Sequence, residues 1–110
     1  MIVRLSGPNV YKGIGRVEIY SYYKGMWGTI CDDNWEFDDA QVVCRQLGYS
    51  GAVNALQGSQ VPHGFGTILL DEVQCNGYES SISKCQHQPW GVNDCSHRED
   101  AGVECFVPGR

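Results

Sequence analysis

Apolar and polar positions alternate through much of the first third of the chain, and this pattern predicts strands. Val17 and Ile19 lie on one face of the segment 16–20, with Arg, Glu and Tyr on the other. A Lys-Gly pair at 24–25 then predicts a hairpin turn, and residues 26–31 are predicted to form the return strand. The chain is therefore expected to begin with strands that bury one face.

The apolar spacing becomes that of a helix between Asp39 and Leu47. One face of this segment carries Ala40, Val43, Cys44 and Leu47. Asp38 or Asp39 is predicted to cap the start, where negative charge also favours the helix dipole, and Gly48 is predicted to end the helix. Since Cys44 lies on the apolar face, a disulfide at this position would attach the helix to the sheet.

The second half of the chain is richer in turn signals. Frequent glycine and proline residues predict a loop over residues 50–66, and a short apolar strand follows at residues 67–70. Residues 80–85 are predicted to form one helical turn, and the segment 95–105 to end in a short strand. The predicted fold class is therefore α+β, with one main helix and several strands.

The length of 110 residues corresponds to one ordinary domain, which we assign to residues 2–107, with residues 108–110 as a tail. No segment approaches the ~20 apolar residues of a membrane helix, so no membrane insertion is expected. The first residues lack the apolar core and cleavage site of a signal peptide, so any targeting signal or anchor is expected outside this segment. A formal charge of −5 without a Lys/Arg-rich stretch argues against nucleic-acid binding.

The number of cysteines is the most informative feature of the composition. The chain has six: Cys31, Cys44, Cys75, Cys85, Cys95 and Cys105. None forms a Cys-x-x-Cys pair, so zinc-knuckle and thioredoxin-type sites are not indicated. An even number favours three disulfides and an oxidising compartment over six buried thiols. Each bridge would stabilise the fold by roughly 3–4 kcal/mol in the chain-entropy model, but the sequence leaves the connectivity open.

A series of motifs resembles scavenger receptor cysteine-rich (SRCR) domains, in order and with similar spacing, over about residues 2–107. They are Val3-Arg4-Leu5, Gly15-Arg16-Val17-Glu18-Ile19, Trp27-Gly28-Thr29-Ile30-Cys31-Asp32-Asp33-x-Trp35, Val42-Val43-Cys44-Arg45-Gln46-Leu47-Gly48-Tyr49, Leu70-Asp71-Glu72-Val73-x-Cys75, Glu79-Ser80-Ser81-Ile82-x-x-Cys85, Trp90-Gly91 and Cys95-Ser96-His97-x-Glu99-Asp100-Ala101-Gly102-Val103-x-Cys105.

The resemblance implies a curved antiparallel sheet of about six strands that cradles one α-helix. It also implies the disulfides Cys31–Cys95, Cys44–Cys105 and Cys75–Cys85. Some members carry a fourth bridge, whose positions correspond to Gly13 and Tyr49 in this chain. Because both cysteines are absent together, the chain is similar to the six-cysteine group A domains of class A scavenger receptors and the collagenous macrophage receptor.

Two acidic pairs follow cysteines directly or closely in the chain. Asp32 and Asp33 come after Cys31, and Glu99 with Asp100 lies just beyond Cys95. If these cysteines are bonded, their Cα atoms are about 5–6 Å apart and the acidic pairs become neighbours. Carboxylates gathered this closely repel each other unless a cation joins them. Oxygen ligands of this kind favour Ca²⁺, with Mg²⁺ as the alternative.

The resemblance implies two cation sites in this region. The first corresponds to Asp32, Asp33 and Glu99, and the second, which only some members have, to Asp33, Asp71 and Asp94. The alternative interpretation for the first site is that Asp32, Asp33 and Glu99 are solvated loop acids, or that Asp33 caps a turn through its own backbone. Asp100 is expected to pair within the protein rather than bind metal.

Other candidate residues point away from catalysis. Ser96, His97 and Asp100 include the residue types of a catalytic triad, but neighbours in sequence rarely reach nucleophile–base geometry, and no Gly-x-Ser-x-Gly elbow is present. Arg98 is a candidate for charge-assisted hydrogen bonds to an anionic ligand. The tryptophans are predicted to pack in or beside the core: Trp27, Trp35 and Trp90.

These observations lead to an extracellular ligand-binding module rather than an enzyme, in a secreted protein or a receptor ectodomain. By resemblance, calcium-dependent binding of polyanionic or microbial surface ligands, or of an extracellular protein, is expected. Single contacts of this kind are weak, so the parent protein is expected to be multivalent. Two alternatives stay open: a non-catalytic accessory domain of a secreted enzyme, such as a protease or amine oxidase, and a structural spacer.

Overall fold

The computed structural model describes residues 2–108, which form six strands, one α-helix and four short 3-10 turns. The strands are β1 (Val3–Ser6), β2 (Ile14–Ser21), β3 (Met26–Ile30), β4 (Ala52–Leu56), β5 (Thr67–Leu70) and β6 (Gly102–Cys105). The helix α1 spans Phe37–Gln46. The 3-10 turns are Val10–Lys12, Gly58–Gln60, Ile82–Lys84 and His97–Glu99. Most of the predicted tail, residues 109–110, lies outside the described residues.

All six strands join one sheet in the order β4-β6-β2-β3-β5, with β1 also paired to β2. Four of its pairings are antiparallel as predicted, whereas β3 and β5 are parallel, so the sheet is mixed. The physical reason is the connection: parallel neighbours need a long crossover, and here α1 and β4 lie between β3 and β5 in the chain. Register shifts in the β3–β5 and β4–β6 pairs accompany the curl of the sheet.

The core lies between the sheet and α1, which packs against β4 and β6. Val17 and Ile19 are fully buried on the inner face of β2, as their alternation predicts. Trp35 is also buried, and its Nε1–H donates a 2.8 Å hydrogen bond to the Gly102 carbonyl oxygen. A buried indole N–H needs such an acceptor, so this bond connects the segment before α1 to β6.

The helix begins two residues before the predicted Asp39, and Glu36 rather than an aspartate is its N-cap. Asp39 instead occupies the third helical position, where its Oδ2 accepts a 2.7 Å hydrogen bond from the Glu36 backbone N–H. Its Oδ1 accepts from the Cys75 backbone N–H at 2.7 Å. Burial raises the pKa of Asp39 to about 6, although both hydrogen bonds act to lower it.

Strand β4 lies within the segment predicted to be a loop. Its Val53 and Asn54 are exposed, and the segment lacks a clear apolar alternation. Its hydrogen-bonding partner, β6, is about 50 residues away in the chain, as in the pairing of Asn54 with Glu104. Because pairing with a distant strand decides this structure, local sequence carried too weak a signal.

Three disulfides connect the elements, and they are the three that the resemblance implied: Cys31–Cys95, Cys44–Cys105 and Cys75–Cys85. Their Cα atoms are 6.2, 5.5 and 4.7 Å apart, respectively. The second bridge attaches α1 to β6, in line with the position of Cys44 on the apolar face of the helix. Within residues 2–108, no helix has the length and apolar character to cross a membrane.

Candidate metal centre

The two acidic pairs converge beside the Cys31–Cys95 bridge, which joins the residue directly after β3 to the segment just before the 3-10 turn His97–Glu99. One carboxylate oxygen from each of Asp32, Asp33 and Glu99 lies within 4.8 Å of the others. The Asp32 backbone N–H donates a 2.6 Å hydrogen bond to the Glu99 carbonyl oxygen, which holds the two chain segments together. All three residues are partly exposed, so the group is open to solvent.

Backbone donors orient two of these carboxylates. Gly58 N–H donates to Asp32 Oδ2 at 2.8 Å, and Ser96 N–H donates to Glu99 Oε1 at 3.1 Å. A Cβ atom at Gly58 would lie only 1.9 Å from the Arg98 carbonyl oxygen, so the close approach requires glycine. Sequence analysis did not single out Gly58, because a glycine in a loop gives no indication of which distant segment it contacts.

Asp33 also belongs to a second acidic group. Oxygens of Asp33 and Asp71 lie within 4.8 Å of each other, but among the described residues Asp94 does not join them at that distance. Asp94 Oδ1 lies 3.5 Å from Cys95 Sγ, and Asp33 Oδ2 lies 3.7 Å from the same atom. These are contacts and not hydrogen bonds, since a disulfide sulfur carries no proton. Asp33 is therefore shared between the two groups, whereas Asp94 lies at the edge of the second.

The electrostatics of the centre favour a cation. Partial burial raises the pKa of Asp33 to about 6, and the negative charges of Asp71, Asp94, Glu99 and Glu72 add to the increase. Burial also raises the pKa of Asp71; its hydrogen bond from the Glu72 N–H acts to lower it, and the negative charges of Glu72 and Asp94 add to the increase. A divalent ion among these oxygens would offset both the burial and the mutual repulsion of these charged groups.

Two residues with left-handed backbone follow Asp33 and Asp71 directly. Asn34 has φ 62° and Glu72 has φ 55°, and the Asn34 side-chain amide donates a hydrogen bond to Glu72 Oε1. Asparagine adopts this conformation readily, but glutamate rarely does. This pair supports the turns that carry the two carboxylates, and sequence analysis did not identify it because the two residues are far apart in the chain.

Asp100 is fully buried and pairs within the protein, as predicted. It accepts a 2.7 Å hydrogen bond from the Gly64 N–H, and both its carboxylate oxygens lie 3.0 Å from His97 Nδ1. Burial lowers the pKa of His97, but hydrogen bonds with the Gly66 carbonyl oxygen and Asp100 raise it overall.

The candidate triad residues contribute to the fold instead. Ser96 caps the 3-10 turn and accepts a hydrogen bond from the Arg98 N–H, so Ser96, His97 and Asp100 form no triad. Arg98 itself is exposed beside Glu99.

The disulfide set and the acidic centre correspond to a known family. The model of that family, the scavenger receptor cysteine-rich domain, matches residues 9–106. The chain belongs to the SRCR family. This result confirms the resemblance seen in the sequence, together with its fold of six strands, one helix and three disulfides.

Solved SRCR domains share the fold at high sequence identity. The dimeric form of the SRCR domain of mouse MARCO is 46% identical, with a TM-score of 0.79 and coverage of 94% of both chains. The third SRCR domain of murine neurotrypsin is 42% identical, with a TM-score of 0.84, and the match covers 96% of this chain and 97% of that domain.

Among curated proteins, lysyl oxidase homolog 2 from Xenopus laevis and its counterpart from Xenopus tropicalis are each 50% identical over 110 residues. The match covers 97% of this chain but only 14% of each relative, so the chain spans a small part of those proteins. SRCR domains are extracellular, non-catalytic modules for ligand or protein interaction. This chain is such a module.

Proposed function

We propose that this SRCR domain binds anionic ligands through a calcium ion held by Asp32, Asp33 and Glu99. The observation that carries the proposal is the convergence of these three carboxylates at one partly exposed point beside the Cys31–Cys95 bridge. The raised pKa of Asp33 supports it, because partial burial and neighbouring negative charges disfavour the ionised carboxylate and a bound cation would offset both. The residues come from separate turns that the disulfide holds together.

The donor set favours calcium over other ions. It offers carboxylate oxygens without an imidazole or a free thiolate, which suits hard cations. Calcium accepts irregular arrangements of oxygen ligands, whereas magnesium demands near-octahedral geometry, so Mg²⁺ is the less suitable ion. When bound, a calcium ion supplies positive charge and coordination positions that a carboxylate, phosphate or sulfate group of a ligand can fill. Arg98, exposed beside Glu99, would add a charge-assisted hydrogen bond.

The second acidic group supports a weaker additional site. Asp33 and Asp71 approach each other closely enough to share an ion, and Asp94 would have to move inward to complete the set. Because Asp33 takes part in both groups, occupation of the first position would influence the second. We therefore infer one principal calcium ion, with a second that binds more weakly.

The proposed ligands are polyanionic polymers such as those of microbial surfaces, or acidic extracellular proteins. A single calcium-bridged contact is weak, so useful avidity requires several copies of the domain. The SRCR domain of MARCO has a dimeric form, and neurotrypsin contains at least three SRCR domains, so repeated copies occur among the similar proteins.

Calcium titration followed by a polyanion-binding assay tests the proposal. We expect isothermal titration calorimetry to detect binding of one calcium ion at millimolar concentration or below, the range of extracellular calcium-binding modules. Dextran sulfate and polyglutamate are expected to bind the immobilised domain in calcium and to dissociate when EDTA is added. Undiminished binding of both polymers in EDTA would refute the calcium-dependent mechanism. No heat of calcium binding would refute the calcium site and favour a structural spacer.

Calcium affinity is expected to fall as the pH decreases through about 6. In the calcium-free protein Asp33 binds a proton with a pKa of about 6, so protons and calcium compete for it. At about pH 5 roughly nine-tenths of this carboxyl group is protonated, which predicts an apparent affinity about tenfold lower than at pH 7. Calorimetry at both pH values measures the change, and an affinity independent of pH would contradict the role of Asp33.

A second candidate function is that of an accessory domain in a multidomain enzyme. The 50% identity to lysyl oxidase homolog 2, of which the chain covers 14%, favours this context. In that case the calcium centre would bind an acidic segment of a substrate or partner protein. A catalytic domain elsewhere in the parent chain would support the accessory role, whereas a collagen-like or coiled-coil segment would support a receptor.

A further inference from the structure

An aromatic groove lies at the hairpin between β2 and β3. It encloses about 430 Å³ and is lined by Tyr20, Tyr22, Tyr23, Lys24, Leu69 and Trp90, among others. None of the acidic residues of the candidate metal centre lines it. Sequence analysis predicted core-edge packing for Trp90 and did not interpret the tyrosines around the hairpin, which are the signal that could have indicated this groove.

The side of the groove formed by Tyr20 is fixed before any ligand arrives. The Tyr20 ring makes edge contacts with Trp27 and Tyr22, at centroid distances of 5.3 and 5.2 Å. The guanidinium of Arg4 stacks 4.0 Å above the Trp27 ring and is itself held by Glu18 at 2.8 Å. A side chain ordered in this way loses little conformational entropy when a ligand binds.

The opposite side is held by the main chain. The Gly91 N–H donates a 2.9 Å hydrogen bond to the Leu69 carbonyl oxygen, which attaches the Trp90 segment to β5. The Trp90 ring also makes an edge contact with His87, at a centroid distance of 5.7 Å. Trp90 nevertheless remains 47% exposed, and Tyr22 remains 72% exposed. Exposed aromatic side chains on a fixed support are the residues that contribute most to protein interfaces.

The charge at the groove indicates the kind of partner. The domain carries a formal charge of −5, yet the charged residue that lines the groove is Lys24. Within residues 2–108 its ammonium group takes part in no ion pair. An acidic segment would be repelled by much of the surface but attracted here, provided that it also offers an apolar side chain for the aromatic walls.

We propose that the aromatic groove binds a protein segment that places an aliphatic or aromatic side chain next to a carboxylate. The apolar side chain enters between Tyr20, Tyr22 and Trp90, and the carboxylate pairs with the Lys24 ammonium. This interaction needs no calcium. The interaction is therefore independent of the metal centre. Experiments can refute binding at either site without affecting the proposal for the other.

The test is a peptide titration of the isotope-labelled domain in EDTA, followed by nuclear magnetic resonance. The probe is acetyl-Glu-Leu-Phe-Glu-amide, compared with acetyl-Lys-Leu-Phe-Lys-amide and acetyl-Glu-Ser-Ser-Glu-amide. We expect the first peptide alone to shift the Trp90 indole N–H signal and the backbone signals of Lys24 and Gly91. The same shifts are expected for Asp33→Ala, because that variant alters only the metal centre.

Matched variants assign the interaction to the groove. Lys24→Glu is expected to weaken binding about two- to fivefold, in keeping with an exposed ion pair, and Trp90→Ala about tenfold or more. Lys84→Glu and Tyr78→Ala, an exposed lysine and tyrosine that do not line the groove, are expected to bind as the wild type does. If Trp90→Ala does not fold, Tyr22→Ser takes its place.

Several results would overturn the proposal. The basic peptide could bind as tightly as the acidic one, or the signal shifts could map to residues outside the groove. The acidic peptide could also cause no shifts at millimolar concentration, or Tyr78→Ala could weaken binding as much as Trp90→Ala does. Shifts of the Trp90 signal upon dilution of the protein alone would assign the groove to a second copy of this chain, and would also overturn it.

Discussion

Replacement of Asp33 by alanine is expected to lower the calcium affinity of the domain by more than about 100-fold. Even residues that only orient metal ligands typically account for roughly 10–100-fold in affinity, and Asp33 is a proposed direct ligand shared by both acidic groups. Because calcium no longer binds, the binding of dextran sulfate in the presence of calcium is also expected to be lost. Calorimetry and the immobilised-domain assay measure the two effects.

The same substitution is expected to leave the calcium-free fold intact. Partial burial and, to a lesser extent, neighbouring carboxylates raise the pKa of Asp33, which means that its charge opposes folding near neutral pH. The free energy of unfolding without calcium should therefore equal or exceed that of the wild type. Loss of calcium binding through unfolding would appear as a lower urea midpoint, and this result would invalidate the interpretation.

Two aspartates serve as comparisons for Asp33. Asp38→Ala removes an exposed acid at the start of α1 and is expected to leave calcium affinity unchanged. Asp94→Ala is expected to affect mainly the weaker second ion, since Asp94 does not belong to the first group of carboxylates formed by Asp32, Asp33 and Glu99. If Asp38→Ala weakened calcium binding as strongly as Asp33→Ala, general surface charge rather than a defined centre would explain the effect.

Removal of the Cys44–Cys105 bridge by a double alanine substitution is expected to lower the free energy of unfolding by about 4 kcal/mol. The bridge joins residues 61 positions apart, and the chain-entropy model gives a stabilisation of this size for such a loop. Both cysteines are fully buried between α1 and β6, so the substitution also leaves unfilled space in the core. Small domains have total stabilities of only about 5–15 kcal/mol, so the variant should be close to unfolding at body temperature.

The bridge Cys75–Cys85 provides the matched control. Its residues are only 10 positions apart, and the same model predicts a loss of about 3 kcal/mol. Urea unfolding under oxidising conditions compares the two double variants. The free energy of unfolding should fall more in Cys44→Ala/Cys105→Ala than in Cys75→Ala/Cys85→Ala. The opposite order would contradict the assignment of the helix-to-sheet bridge as the more stabilising one.

The local spacing of apolar residues predicted the elements whose own sequence marks one buried face. The alternation around Val17 and Ile19 predicted a strand of the core, and the spacing of Val43 and Cys44 predicted the buried face of α1. The pattern was less informative where burial comes from distant partners. Strand β4 was predicted as a loop, because its structure depends on pairing with β6, and the parallel β3–β5 pair depends on the crossover between them.

The candidate site divides in the same way. The sequence by itself determined the number of cysteines, the acidic residues beside Cys31 and Cys95, and, through its motifs, the SRCR family with its disulfide pairing. Only the tertiary structure decided that Asp32, Asp33 and Glu99 converge while Asp94 stays outside the group, that Gly58 orients Asp32, and that tyrosines of the hairpin form a groove with Trp90. The physical reason is that residue type and spacing fix local preferences, whereas distances between remote segments arise only when the packed core and the disulfides bring them together.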